Sequence, residues 1–140
     1  MNKSSQHQKR LLISAYACAP DRGAEPGVGW NLIAYMAGEY GYQLTVITRT
    51  KHRPAIEASN DPRVKDVNWI YVDPPEWLIS FKRGALGLKA YYLLWQKKMH
   101  AAAVEYLEKH PVDLVHHLTF GVFSLPRHWQ LLDYPWWWVR

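Results

Sequence analysis

Apolar residues recur along this chain in two alternating rhythms. Short runs rich in branched and aromatic side chains, over residues 11–15, 44–48, 67–72, 113–117 and 135–139, read as strands, the first ending in turn residues and the third stopped by Asp73-Pro-Pro75. Between them the apolar spacing changes to three and four. Over residues 26–40 it aligns Trp30, Ile33, Ala34 and Ala37 on one stripe, with Pro26 suited to the first helical turn and Gly41 to the end. A longer helix is predicted over residues 86–110, carrying Tyr91, Leu94, Trp95, Met99, Ala102, Val104 and Leu107 and stopped by Pro111. Residues 51–64 hold a short helix or loop broken by Pro54 and Pro62. Residues 118–126 read as a loop, and 127–132 as a short helix. Residues 1–10 are polar without an apolar period and read as a disordered tail.

This alternation predicts an α/β fold: right-handed crossovers building a parallel β-sheet with helices on both faces. The chain has 140 residues, enough for one such domain over residues 11–140. Ligands of open parallel sheets bind beyond the carboxyl ends of the strands. The stretches to inspect are therefore residues 16–30, 48–53, 73–84 and 116–126.

Charge and composition narrow the partners only broadly. A net charge of +5 favours anionic ones, but the basic residues are dispersed and carry no nucleic-acid-binding motif. Nucleic acid is therefore not expected. Eight Trp and nine Tyr supply aromatic area that suits a core, a sugar-stacking surface or a membrane interface. Cys18 is the only cysteine, which rules out an intrachain disulfide and fits a reduced, cytoplasmic compartment. A basic start before the apolar run at residues 11–19 has the outline of a signal peptide, but Ser14 and Tyr16 interrupt it. No stretch approaches the length of a transmembrane helix.

Four groups of residues carry candidate chemistry. Gly27 and Gly29 stand where a strand turns into a helix, so the backbone can approach a phosphate at the positive end of the helix dipole. Their spacing matches neither a dinucleotide fingerprint nor a P-loop, and packing of strand against helix explains the glycines equally well. Glu25 would repel a phosphate unless turned to sugar hydroxyls or to the helix's own N–H groups. His116 and His117 end the fourth strand, and alternation lets only one of them face a cleft. Either is a candidate acid–base or ligand-contacting group, while a satisfied core histidine is the plain alternative. No metal-ligand cluster accompanies them. Arg49, after the second strand, is placed to meet an anion, although a solvated arginine is commoner. Residues 77–83 mix bulky apolar side chains with Lys82 and Arg83, which suits peripheral contact with an anionic membrane; solvated cations at a helix entry are the plainer reading.

Taken together and in order, these segments resemble bacterial family 4 glycosyltransferases. Ala15-Tyr-Ala-Cys-Ala-Pro-Asp-Arg-Gly-Ala-Glu-Pro-Gly-Val-Gly-Trp-Asn31 is similar to their first strand and loop, and Leu44-Thr-Val-Ile-Thr-Arg49 to their second strand. Asp113-Leu-Val-His-His-Leu-Thr-Phe-Gly121, followed by Leu125 and Pro126, is similar to their fourth strand and its loop. The resemblance implies the N-terminal half of a GT-B fold, in which two Rossmann-like domains face a cleft. It implies sugar transfer, with retention, from a nucleotide-sugar donor to a glycan or lipid-linked acceptor, without a metal or other cofactor. Gly27 and Gly29 would then lie near the donor diphosphate. Glu25, Arg49, Thr119 and Gly121 would contact acceptor or sugar, and His116 or His117 would sit near the transferred sugar. Many such enzymes work at the inner face of the membrane. Family members continue into a C-terminal domain that holds the nucleotide, so this chain is expected to be an N-terminal domain inactive alone. The alternative is a stand-alone Rossmann-like module that binds a phosphate-bearing metabolite or glycan without catalysis.

Overall fold

The computed structural model describes residues 7–20, 23–75, 77, 84–118 and 136–139. Five strands, β1 (Arg10–Ala15), β2 (Gln43–Thr48), β3 (Asn68–Tyr71), β4 (Leu114–Leu118) and β5 (Trp136–Val139), form one sheet in the order β3-β2-β1-β4-β5. Every neighbouring pair is parallel. The helices are α1 (Ala24–Gly38), α2 (Arg53–Glu57) and α3 (Gly84–Lys109), with single 3-10 turns at Thr50–His52 and Pro62–Val64. The protein is α/β and Rossmann-like.

Connectivity explains why both faces are covered. From β1 the chain steps through α1 to β2 on one side, whereas α3 carries it from β3 back across the sheet to β4 on the other. Two right-handed crossovers running in opposite directions must lie on opposite faces. Accordingly Leu11, Ile13, Ala15, Leu44 and Val46 pack with Trp30, Ile33 and Ala34 of α1. The alternate positions Leu12, Ile47 and Val115 pack with Tyr91, Tyr92, Trp95 and Met99 of α3. The central strand β1 is thus buried on both sides, with Ser14 the one polar residue among its five buried positions. Much of the aromatic content is structural. Tyr16 meets the rings of Tyr92 and Trp95 edge-on at 4.9 and 5.2 Å, and Trp30 stacks on Trp69 at 5.7 Å. Such pairs contribute about 0.5–1.5 kcal/mol each beyond their area.

Several boundaries differ from expectation. α1 starts at Ala24 rather than at Pro26, because Gly23 takes the N-cap position although no side chain caps the helix. β1 starts at Arg10, inside the segment read as a tail: the Gln43 amide donates to the Lys9 carbonyl (2.9 Å), and the Gln8 side chain donates to the Gly41 carbonyl (2.7 Å). A parallel ladder recruits polar residues through their backbones, and an apolar-period argument does not detect that. At its other end α1 stops at Gly38, and Gly41 follows with φ +63°, a left-handed conformation that suits glycine. The short helix expected over residues 127–132, and the loop beyond Leu118, lie outside the described residues.

Candidate functional site

The strand order reverses between β1 and β4, where β1 leads outward through α1 in one direction and β4 leads away in the other. At such a switch point the loops diverge and open a crevice at the carboxyl ends of the strands. The glycine turn follows β1 and Arg49 follows β2, so the chain brings both to this edge. The two histidines do not end β4 as expected: the strand runs on to Leu118, and His116 sits at its middle, in register with Ile13 of β1.

The glycine turn is organised differently from the expectation of free amides. Because α1 begins at Ala24, the Gly27 amide already bonds to the Gly23 carbonyl at 3.2 Å, and Gly29 lies inside the helix. A Cβ on Gly29 would collide with the Ala17 carbonyl oxygen, so this glycine is required by the approach of α1 to the loop after β1. The Ala19 amide donates to the Pro26 carbonyl (3.1 Å) and closes the same contact. Glu25 is exposed in the first helical turn, where a carboxylate favours the positive helix end. Gly27 instead borders an open pocket of about 440 Å³ with Trp30, Asn31, Ser59, Asp61 and Arg63. Within it Asp61 and Arg63 form an ion pair at 2.7 Å, and the hydrogen bonds from Arg63 hold the Asp61 carboxyl below the usual range.

The two histidines part company across the sheet. Ser14 and His117 are register partners, and the Ser14 hydroxyl and His117 Nδ1 share a short hydrogen bond on the α3 face. His117 Nε2 lies 3.3 Å from the Tyr92 hydroxyl of α3. Both ring nitrogens of His117 therefore have partners. His116 pairs in register with Ile13 and lies on the α1 face, 5% exposed, with Nε2 lacking a hydrogen-bond partner among the described residues. Burial depresses its pKa, so it is held as neutral imidazole. Of the pair, His116 keeps an unspent ring nitrogen for chemistry.

Arg49 is not the solvated arginine that base expectation favours: it is 6% exposed. Its Nε donates to the Tyr16 carbonyl (2.9 Å), its guanidinium carbon lies 3.8 Å above the Tyr16 ring, and Nη2 reaches His52 Nε2 at 3.4 Å. Desolvation lowers its pKa, partly opposed by Tyr16, Tyr91 and Asp73. The Tyr16 phenol is itself pushed up to about 12, mainly by burial, and the buried Cys18 thiol also to about 12. Both stay protonated and chemically quiet at neutral pH.

Tyr16, His52, Tyr92 and Asp61 were not singled out in the sequence. The only signal for Tyr16 was its place directly after β1. Thr119 and Gly121, and all of residues 77–83 except Trp77, lie outside the described residues. Trp77 is 66% exposed. Among the described residues no helix is long and apolar enough to cross a membrane, and no three His, Cys, Asp or Glu side chains stand together as metal ligands. No protein-family model matches the chain, and no curated protein matches it.

Proposed function

We propose that this chain is the acceptor-side, N-terminal domain of a retaining glycosyltransferase of family 4 type, which uses a nucleotide-sugar donor and a glycan or lipid-linked acceptor. The observation that carries the reading is the convergence at the β1/β4 switch point. There two of the segments that resemble the family bring Gly27 and Arg49 to one edge of a parallel sheet, following β1 and β2, while the third carries His116 inside β4, in register with Ile13. In this reading the donor diphosphate passes the pocket beside Gly27, where the lack of a side chain leaves room. His116, neutral and with a free ring nitrogen, is the histidine offered to the sugar. Peripheral attachment to the cytoplasmic face of a membrane through the sequence stretch 77–83 belongs to the same proposal.

A second reading, a stand-alone binding module, is favoured by one specific observation. The collision at Gly29 and the internal hydrogen bond of Gly27 explain the glycines by packing alone. Calorimetric titration with UDP, GDP and UDP-sugars, beside Gly27→Asp, separates the two. An aspartate there sits in the first turn of α1, where it is compatible with the helix, but it brings a negative charge into the pocket. Nucleotide binding that the variant loses supports the transferase reading. Nucleotide binding unchanged in the variant removes the diphosphate from the glycine turn and leaves the binding module.

A further inference from the structure

A guanidinium withdrawn from water needs compensating charge, and leaving it without any costs several kcal/mol. Arg49 is buried at the carboxyl edge of β2, yet among the described residues no carboxylate lies within ion-pair distance of it. Asp73, the acidic side chain that acts on it, accepts instead from the Thr50 amide at 3.3 Å. What surrounds Arg49 fixes its direction rather than neutralising it. The Tyr16 ring covers one face of the guanidinium, the Tyr16 carbonyl takes Nε–H, and His52 takes one Nη2–H. A guanidinium carries five N–H donors. The remaining three, both on Nη1 and the second on Nη2, bond to no described group. They form the outer side of the planar fork that matches an oxyanion in two parallel hydrogen bonds. Tyr16 directly follows β1 and Arg49 directly follows β2, so the fork stands at the crevice edge and not beneath the middle of the sheet.

From this arrangement we infer that Arg49, clamped by Tyr16 and His52, forms a subsite for a phosphate group, and that the acceptor is a phosphorylated glycan or a phospholipid-linked one. Tyr16 and His52 preorganise the arginine, so binding does not have to order a long flexible side chain. The assignment of the phosphate to an acceptor rests on the transferase reading above. The existence of the subsite does not.

The test uses the whole chain and follows binding of glucose 6-phosphate, of unphosphorylated glucose, and of vesicles of phosphatidic acid beside neutral phosphatidylcholine vesicles. Glucose 6-phosphate or phosphatidic acid binds and the neutral counterparts do not; which of the two binds identifies a sugar phosphate or a lipid headgroup as the source. Arg49→Gln weakens that binding at least about tenfold, the size of losing one charge-assisted hydrogen bond. Arg53→Gln, which removes the same charge from an exposed residue paired with Glu57, leaves it unchanged. Should Arg49→Gln not fold, the Arg49 Nε–Hε resonance of the unmodified chain is followed by NMR during the same titration and shifts on saturation. Equal weakening by both variants, undiminished binding in Arg49→Gln, a stationary Arg49 resonance, or equal affinity for neutral ligands each overturns the subsite. Arg49 is then only a strap joining the loops after β1 and β2. Phosphate binding through Arg49 by a chain whose UDP and GDP binding survives Gly27→Asp would retain the subsite and reject the transferase reading.

Discussion

His116, buried in the middle of β4, illustrates how burial sets the chemistry of one side chain. Its Nε2 has no hydrogen-bond partner among the described residues, an omission that costs about 1–3 kcal/mol in a buried site. The same burial lowers its pKa from the ordinary value of 6.5. In the unfolded chain the ring takes up a proton below that value, whereas in the folded chain it resists until lower pH. Stability therefore falls as pH drops below 6.5, by at most about 1.4 kcal/mol per pH unit for one proton. Urea unfolding of the protein and of His116→Leu, compared from roughly pH 7 to roughly pH 5, should show a flatter dependence in the variant. Parallel curves would mean that His116 is protonated equally in both states and is not desolvated. His117, tied to Ser14 and Tyr92, is a structural residue by the same kind of reasoning.

Elements meet here through backbone proximity as much as through side chains. The loop after β1 presses its Ala17 carbonyl against α1 where Gly29 offers no Cβ, while Trp30 beside it fills the space under the helix. Gly29→Ala must push helix and loop apart, an overpacking change that costs about 1–3 kcal/mol. The expected outcome is a lower unfolding midpoint in urea, together with altered ligand binding at the neighbouring pocket. A midpoint equal to that of the parent chain would show that the loop yields freely and that the glycine serves something other than packing. Gly27 is the contrasting case, since it borders the pocket and is the better position for a ligand-directed glycine.

In the whole molecule, stability should be graded outward from β1. That strand is hydrogen-bonded on both edges, to β2 and β4, and covered on both faces, whereas α2 is a five-residue helix. Amides with double pairing and no solvent exchange only through global opening, while short helices open locally. Hydrogen exchange should find residues 11–15 slowest and residues 53–57 among the fastest described. Faster exchange in β1 than in α2 would contradict a single core centred on that strand. The loop that carries Tyr16 hangs directly from this most protected strand.

Element type and order were legible in the chain because two physical periods, near 2 and near 3.6, leave different marks in apolar spacing. The apolar run of residues 11–15, broken only by Ser14, was consistent with a buried strand, and the alternation of elements announced parallel pairing. Arg49 and the glycine turn were legible as positions, because the carboxyl ends of strands are a topological consequence of that alternation, whereas β4 runs past both histidines to Leu118. The states of these residues were not. Whether Arg49 was solvated or buried, which histidine kept a free nitrogen, and whether the glycines offered amides or merely made room all depended on contacts between residues far apart in sequence. Ser14 and His117 are 103 residues apart, and Arg49 and Tyr16 are 33 apart. Local patterning carries no record of such pairings. They follow only when the sheet sets its register and the helices close on its two faces.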